Sequence, residues 1–443
     1  MNHQPELNRT LGLGSALSIV IGTIIGSGIF FKQASVLASA GSSTHALLAW
    51  IIGGVITLTS GLTIAEIGAQ MPVTGGLYVY IENIFGRRLG FLAGWMQVIV
   101  YGPAISASVA GFMSILITEF FGWPEQWRIP VAVVMIVAIS VLNMFENRVG
   151  AFFSILTTLC KLVPITAIIV WGILHGHVTA LGQTVTTVHQ ASGNMGVAVL
   201  ATLFAYDGWI LIANLGGEMK NPQKLLPQAI IIGVSAVLLI YTLISFSVFR
   251  FLPANKILAL GEKATAYLAQ TAFGQLGGKL LAIGIIISMM GTLNGKLLTF
   301  PRIVYAMAKR GDLPFSRYLA YLHPRAKTPV YATGAVMVIA ILMTFFFNPD
   351  HLSDLCVFTV YCFYTLAFFG LFVLRHRRTE PRPFSVPLYP LVPLVALGGG
   401  LFILGSEVVN DPWGVILFIG VVVLGLPILW LIKTLDRKRQ FLN

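Results

Sequence analysis

Apolar runs of about 20 residues recur along the whole of this 443-residue chain, and only short polar stretches separate them. A helix of that length crosses the hydrocarbon core of a bilayer, where every backbone polar group must be satisfied internally. Charged residues make up 10% of the chain, against roughly 25% in globular domains. There is too little charge to cover a water-soluble surface, so the sequence predicts an all-α integral membrane protein with one polytopic domain over residues 1–443.

Hydropathy windows predict about 12 transmembrane helices. The predicted spans cover residues 11–38, 45–67, 89–118, 129–146, 150–174, 195–217, 228–251, 278–307, 329–347, 354–374, 386–407 and 413–433. The polar stretch before the first run, residues 1–10, lacks the basic, apolar and small-residue order of a cleaved signal peptide. We therefore expect the first run to be a true span.

The net charge of +12 is distributed between alternate loops and forms no basic face, which argues against a nucleic-acid partner. If the N-terminus is cytoplasmic, most basic residues fall in inside loops or the tail: Arg87, Arg88, Arg148, Lys220, Lys224, Lys309, Arg310, Arg317, Arg325, Lys327, residues 375–382, Lys433, Arg437, Lys438 and Arg439. The outside loops carry mainly Lys32, Arg128, Lys256 and Lys263. The positive-inside rule thus predicts a multi-pass plasma-membrane protein with both termini in the cytoplasm.

Two spans are interrupted at mid-depth by small or polar residues. The interruptions read GTIIGSGIF at residues 22–30 and FAYDGW at residues 204–209. Irregular backbone at membrane depth is tolerated where it lines a cavity. These are the first and sixth spans, the same position in two sets of five, and an odd number reverses the direction of the second set. The pattern predicts two inverted repeats, 11–174 and 195–374, followed by two additional helices at 386–433.

The break in the first span predicts a site for a carboxylate. A helix that ends at Ile24 or Ile25 and restarts after Gly28 leaves free amides at the positive end of the new helix dipole. Gly26, Ser27 and Gly28 would therefore bind an anionic group. The last carbonyls of the broken halves would suit an ammonium, and they belong to Thr23, Ile24, Phe204, Ala205 and Asp207. Carboxylate and ammonium together describe an amino acid; the alternative is that the glycines only allow close helix packing.

Lys161 lies in the middle of the fifth predicted span, about 16 to 20 Å from water along the helix. Its side chain is too short to reach the interface. We expect Lys161 to face the bundle interior and to bond to backbone carbonyls of a broken helix, or else to lose its proton. It could then replace the sodium ion of coupled transporters by tying the first span to the eighth. The alternative is a lysine held in a polar cluster with no gating role.

Five further side chains need an interpretation. Asp207 could attract the substrate ammonium or a proton, or cap the restarted half-helix, and capping is slightly favoured. Phe204 and Trp209 flank the same break and could cover a ligand or simply pack, with Phe204 the better candidate for a lid. Glu66 and Lys296 lie nearer the cytoplasmic ends of their spans. Snorkelling or an ion pair with a loop charge would explain them, so we expect both outside the site.

Motifs of enzymes and metal sites are absent from the sequence. The three cysteines, Cys160, Cys356 and Cys362, all fall inside apolar spans without CxxC spacing and are predicted to be buried thiols. The histidines lie mostly in loops without ligand spacing. We therefore expect no enzymatic activity, no cofactor and no bound metal.

The two interrupted motifs resemble the L-amino acid transporter branch of the amino acid, polyamine and organocation superfamily. Three more stretches carry the resemblance: PVTGGLYVYIE from Pro72, GEMKNPQKLLP from Gly217 and NGKLLTFPRIVYAMAKRGDLP from Asn294. They extend over nearly the whole chain. Within that branch the sequence most resembles bacterial serine/threonine and alanine-serine-cysteine exchangers.

The resemblance implies a LeuT fold, alternating access and sodium-independent exchange of one amino acid for another. Carried over by motif, it assigns the carboxylate to Gly26, Ser27 and Gly28, and the gate to Phe204. It assigns the ammonium to the carbonyls of Ile24, Phe204, Ala205 and Asp207, and places Lys161 at the sodium position. Animal members join a heavy chain through a cysteine between the third and fourth spans, and the loop at 120–128 has none, so no disulfide-linked partner is expected. Large-neutral-amino-acid carriers of animals have glycine at the position of Asp207.

The sequence thus predicts an exchanger of small neutral L-amino acids such as serine, threonine and alanine. The nearest alternative is a proton-coupled amino acid symporter in which Lys161 carries the proton. A carrier of cationic amino acids or polyamines is less favoured, because Asp207 is the one carboxylate expected near a bound side chain. A channel or an amino acid-sensing receptor is the remote alternative, since rings of polar filter residues are not apparent.

Overall fold

The computed structural model describes most of the chain. The described backbone covers residues 11–71, 75–145, 147–176, 182, 193–324, 326, 328–377 and 381–442. Some residues named in the sequence analysis lie outside the described residues or side chains. They are residues 1–10, Pro72, Arg148, Arg325, Lys327, residues 378–380, Lys433, Arg437, Lys438 and Arg439.

Helices dominate the described chain. In order they are α1 (Leu13–Ile24), α2 (Gly28–Phe31), α3 (Gln33–Ala40), α4 (Ser43–Gln70), α5 (Gly76–Phe85), α6 (Arg87–Met96), α7 (Gly102–Phe121), α8 (Arg128–Phe145), α9 (Asn147–His175), α10 (Met195–Ala205), α11 (Pro222–Phe251), α12 (Ala254–Leu260), α13 (Ala264–Lys309), α14 (Ser316–Leu319), α15 (Val330–Phe346), α16 (Pro349–Arg377), α17 (Leu391–Asn410) and α18 (Pro412–Leu442). A π-helical segment, Gln97–Tyr101, joins α6 to α7, and a 3₁₀ segment, Trp209–Glu218, follows α10.

The predicted spans correspond to these helices. Within the described residues, nine helical segments are long and apolar enough to cross a membrane. Shorter apolar helices, Cys160–His175, Met195–Ala205 and Val330–Phe346, fall in the fifth, sixth and ninth predicted spans. The all-α membrane fold is therefore confirmed. The division into inverted repeats at 11–174 and 195–374 stays a prediction.

Two predicted boundaries need comment. The element α13 starts at Ala264, but its backbone is non-helical at Gly274 (φ 69°), and the helix that follows this kink agrees with the eighth span expected at 278–307. Glycine adopts this left-handed conformation without steric cost. The eleventh span was expected from residue 386, but α17 begins at Leu391, directly after Pro390. A proline disfavours helical backbone in the residue before it, so the helix starts later than hydropathy indicates.

Small residues bring the helices around the two breaks into close contact. α1 packs against α9, α11 and α13, whereas α10 packs against α3, α4 and α16. A Cβ atom at Gly53 of α4 would lie 2.1 Å from Oγ1 of Thr202 in α10. A Cβ atom at Gly208 would lie 2.8 Å from the carbonyl oxygen of Thr23. This packing places the interruption after α10 directly against the end of α1.

Candidate functional site

The first span breaks where its motif predicted. α1 ends at Ile24, Ile25 is extended (φ −71°, ψ 97°), and α2 begins at Gly28. Gly26 and Ser27 therefore form the non-helical link between the two halves. The first amides of a helix have no intrahelical acceptor, so this link presents backbone donors as the sequence indicated.

The second break follows Ala205, where α10 ends. Tyr206 and Asp207 form the turn, and Gly208 (φ 118°) starts the 3₁₀ segment. A side chain at Gly208 would be strained by this backbone conformation and would also collide with Thr23. Glycine at this position therefore lets the second break touch the first.

A narrow cavity lies between the two breaks and contacts α7 and α13 on its other sides. Its lining consists of Thr23, Ile24, Gly26, Ser27, Gly28, Ile105, Val109, Phe204, Asp207, Thr292 and Lys296. The free volume is about 10 Å³, about the space that one water molecule needs. An amino acid can bind here only if the surrounding helices or side chains move apart.

Two glycines of the cavity also make tight helix contacts. A Cβ atom at Gly28 would lie 2.4 Å from Cα of Ala205, and one at Gly26 would lie 2.8 Å from Cγ2 of Thr292. The close-packing alternative raised for these glycines is therefore part of the structure. It does not exclude the ligand role, because the same two residues line the cavity.

Lys161 of α9 is fully buried and reaches the end of α1. Its Nζ donates to the carbonyls of Gly22 (2.7 Å) and Ile25 (2.6 Å). Thr292 of α13 donates from Oγ1 to the Ile25 carbonyl as well (3.0 Å). The broken first span is thus bonded to the fifth and eighth spans at one carbonyl oxygen, and Lys161 bonds to backbone carbonyls of the broken helix as expected.

Asp207 and Lys296 form a buried ion pair, and two expectations were wrong here. The Oδ2 atom of Asp207 lies 2.9 Å from Nζ of Lys296, and both side chains are at most 4% exposed. Tyr101 donates from its hydroxyl group to Oδ1 of the same carboxylate. Asp207 therefore does not cap the following 3₁₀ segment, because its carboxylate bonds to Lys296 and Tyr101 among the described residues.

The second correction concerns Lys296, which was expected to snorkel or to pair with a loop charge. Because of its position on α13, the Lys296 side chain points into the bundle. A buried ammonium group requires a charged partner, and the Asp207 carboxylate is that partner. Lys296 lines the cavity and belongs to the site. Tyr101 was also missed; it lies in the π-helical segment, and such local bulges occur frequently at functional sites.

Tyr241 of α11 joins the two breaks and was not predicted. Its hydroxyl group lies 3.0 Å from the carbonyl oxygen of Ile24 and 3.1 Å from that of Ala205. These are two of the carbonyls expected to hold an ammonium. Tyr241 stands in an apolar helix, and nothing in its sequence surroundings distinguishes it from a packing residue.

The two aromatic residues at the second break take different positions. Phe204 lines the cavity and packs 5.9 Å from Phe112, measured between ring centroids. Trp209 is buried but is not among the lining residues, and its ring packs 5.2 Å from that of Tyr364. The packing alternative describes Trp209, and Phe204 stays the candidate for a lid.

Ion pairs lie at both ends of the bundle. At one end, Nζ of Lys32 lies 2.6 Å from Asp350 and 3.1 Å from Asp354, and 5.6 Å from the ring centroid of Phe204. At the other end, Arg87 lies 2.8 Å from Asp312.

Glu66 is also explained by an ion pair at this second end. Arg375 bonds to both of its carboxylate oxygens, and the amide of Val386 donates to one of them. The side chain is fully buried, so the snorkelling alternative was wrong and the ion-pair alternative is confirmed. Glu66 lies outside the cavity lining, as expected.

In the described parts of the chain, no group of three or more His, Cys, Asp or Glu residues could hold a metal ion. Cys356 is buried, whereas Cys160 and Cys362 are partly exposed, and the three thiols are free. The prediction of buried thiols is thus correct for one cysteine, because the other two lie on helix faces that the bundle does not fully cover.

Comparison with known proteins places these features in a family. The family model described as "Amino acid permease" matches residues 11–431. The chain is 46% identical to a serine/threonine exchanger of Bacillus subtilis (strain 168), over 96% of this chain and 97% of the relative. It is 30% identical to the cystine/glutamate transporter of Homo sapiens, over 98% and 87% of the two chains. It is also 30% identical to Asc-type amino acid transporter 1 of Mus musculus, over 96% and 81%.

Proposed function

This chain belongs to the amino acid permease family, and we propose that it exchanges small neutral L-amino acids, such as serine, threonine and alanine, across a membrane. It is a transport protein and not an enzyme, as its sequence predicted, since its relatives are named as transporters and exchangers. The bacterial relative that is 46% identical is named as a serine/threonine exchanger, which supports this substrate class.

The observation that carries the proposal is the ion pair in the cavity wall. Lys296 neutralises Asp207, so the paired side chains add no net charge next to the bound ligand. The other lining side chains are apolar or neutral. A charged substrate side chain would enter this space without a partner, which is costly in a low-dielectric interior. The small volume further favours short side chains.

In the proposed binding mode, the amides of Gly26, Ser27 and Gly28 receive the substrate carboxylate. The carbonyls of Ile24, Phe204, Ala205 and Asp207 receive the ammonium. The Ile24 and Ala205 carbonyls already accept from Tyr241, so the tyrosine would share them with the ammonium or release them as the cavity widens. Phe204 would cover the ligand. Trp209 contributes through packing behind the break.

Lys161 would take the place of a coupling sodium ion. Its ammonium group supplies a fixed positive charge to the carbonyls at the end of α1. A bound cation stabilises the carbonyls of a broken helix in the same way. A bundle held in this way has no need of sodium to complete the first break. We therefore expect transport to be sodium-independent.

The orientation follows from the loop charges. We propose that both termini are cytoplasmic in the plasma membrane, so the Lys32 end faces outside and the Arg87 end faces inside. Alternating access then requires the Lys32–Asp350 and Arg87–Asp312 pairs to separate in turn. We expect the protein to work without a disulfide-linked heavy chain, since the loop at 120–128 has no cysteine.

The test is uptake of radiolabelled serine into proteoliposomes of the pure protein at equal pH and without sodium. Exchange requires unlabelled serine inside the vesicles, so uptake should be fast with internal serine and near background without it. Equal uptake in both cases would contradict exchange and indicate a uniporter.

Three further measurements distinguish exchange from the alternative functions. Uptake into empty vesicles that depends on an imposed pH gradient would support the proton-coupled symporter. Strong competition by arginine would support a carrier of cationic amino acids. A lack of saturable flux under all conditions would support a channel or a receptor.

A further inference from the structure

A second cavity lies at the Lys32 end of the bundle, away from the two breaks. It has a volume of about 260 Å³ and is formed by α10, α16, α17 and α18. Acidic residues from two helices and the link before α18 face into it, namely Asp354, Glu407 and Asp411. Apolar side chains, among them Leu200 and Phe358, form another part of the wall.

Glu407 is the unusual member of this lining. The residue is 8% exposed, and within the described residues its carboxylate has neither a hydrogen bond nor an ion pair. The Glu407 side chain faces the cavity, and the nearby carboxylates of Asp354 and Asp411 repel its negative charge. A positive group bound in the cavity would relieve this repulsion.

The neighbouring acids are only partly compensated. Asp354 forms an ion pair with Lys32, and Lys32 also forms an ion pair with Asp350. The Oδ1 atom of Asp411 accepts a hydrogen bond from the amide of Gly414 (2.9 Å). Among the described residues that line this cavity there is no lysine or arginine. The cavity thus carries an excess of negative charge.

The chemistry of the lining limits the ligand. The acids and His351 do not form a group that could hold a metal ion. A zwitterionic amino acid would bring its carboxylate among three others and would be repelled. An aliphatic amine places its ammonium on Glu407 and its methylene groups against Leu200 and Phe358.

We propose that this cavity is a binding site for a small aliphatic amine, separate from the midplane site. The bound ammonium bonds to Glu407 and contacts Asp354. Because Asp354 also bonds to Lys32, the amine competes with Lys32 for that carboxylate. Lys32 lies beside Phe204, so amine binding acts on the closure of the end that we propose faces outside.

The experiment measures binding of radiolabelled 1,4-diaminobutane to the purified full-length protein, with saturating unlabelled serine to fill the midplane site. We expect saturable binding that serine does not displace. Glu407→Gln removes the charge at nearly constant volume and should weaken binding about tenfold or more. Glu125→Gln is the matched control, because Glu125 is an exposed acid paired with Arg128 at the same end, and its binding should equal the wild type.

Asp411→Asn is a second variant in case Glu407→Gln does not fold, because asparagine keeps the acceptor for the Gly414 amide. It should also weaken diamine binding. Serine exchange in each variant reports the midplane site separately, so loss of exchange and loss of diamine binding are distinguishable. Absence of diamine binding to the wild type, binding to both cavity variants that equals the wild type, or complete displacement by serine would overturn the proposal.

Discussion

The two helix breaks meet at one cavity, but they are held by different kinds of contact. The first break is bonded through its backbone: Lys161 and Thr292 donate to main-chain carbonyls. The second break is bonded through a side chain, because Asp207 receives Lys296 and Tyr101. A backbone carbonyl is present whatever residue stands there, whereas the second set of contacts depends on one carboxylate.

This difference separates two properties of the transporter. The contacts of the first break hold the helix ends in place and are independent of the substrate side chain. Those of the second break set the charge of the cavity wall. Changes at Lys161 should therefore alter the rate of exchange, whereas changes at Lys296 should alter both stability and the choice of substrate.

The largest effect on activity is expected for Lys161→Ala. Removing the ammonium takes the charged donor from the Gly22 and Ile25 carbonyls and leaves them the weaker Thr292 hydroxyl group. Serine exchange in proteoliposomes should therefore fall about tenfold or more while the fold is largely kept. Lys279→Ala removes an exposed lysine and should exchange at the wild-type rate. Normal exchange by Lys161→Ala would show that the buried lysine has no gating role.

Lys296→Met should cause the largest loss of stability. It leaves the Asp207 carboxylate buried with Tyr101 as its remaining partner, which costs about 3–5 kcal/mol. The apparent melting temperature in detergent should drop, and competition of serine exchange by arginine should rise because the cavity becomes negative.

The double variant Asp207→Asn, Lys296→Met is the control for that prediction. It removes both charges, so it should recover much of the melting temperature and lose the response to arginine. If the single and double variants melt alike, the uncompensated Asp207 carboxylate is not the cause of the lost stability; if they respond alike to arginine, the ion pair does not set the charge of the site.

A smaller effect is expected for Gly28→Ala. The added methyl group would lie 2.4 Å from Cα of Ala205, so the two breaks must separate, at a cost of about 1–3 kcal/mol. The matched control is Gly14→Ala in α1, where a Cβ atom meets nothing within 4 Å. Helix propensity predicts that this control is neutral or slightly stabilising. Equal melting temperatures for both variants would contradict the tight contact.

The smallest effect is expected for Tyr241→Phe. The hydroxyl group bridges the Ile24 and Ala205 carbonyls, so its loss should destabilise the protein by about 1 kcal/mol. The affinity for serine should change as well, since both carbonyls are proposed to bind the ammonium. Tyr267→Phe removes a hydroxyl group outside the site and serves as the control. An unchanged serine affinity would show that these two carbonyls do not contact the substrate.

Local pattern was sufficient to predict the helices and the two breaks. Membrane-spanning helices require long apolar runs, and a glycine-rich or polar interruption at mid-depth weakens the helix where it occurs. For this reason residues 22–30 and 204–209 predicted non-helical backbone. Lys161 was also identifiable, because a lysine so far from water must find an internal partner.

Pairings between distant helices were not predictable in the same way. Lys296 stands 89 residues after Asp207, and Tyr101 stands 106 residues before it. Their rotation about the helix axes depends on how α7 and α13 pack against the second break. Hydropathy reports the depth of a residue and not the direction of its side chain, so Lys296 was expected to reach a loop.

The sequence by itself determined the membrane fold, the two broken helices and the need for a partner at Lys161, because each follows from the energetics of burying polar groups in hydrocarbon. Only the tertiary structure decided which groups meet at the breaks. The Asp207–Lys296 pair, the Tyr241 bridge and the position of Glu407 in the second cavity all depend on the positions of helices far apart in the chain. Those positions are set by packing between helices, which no local pattern encodes.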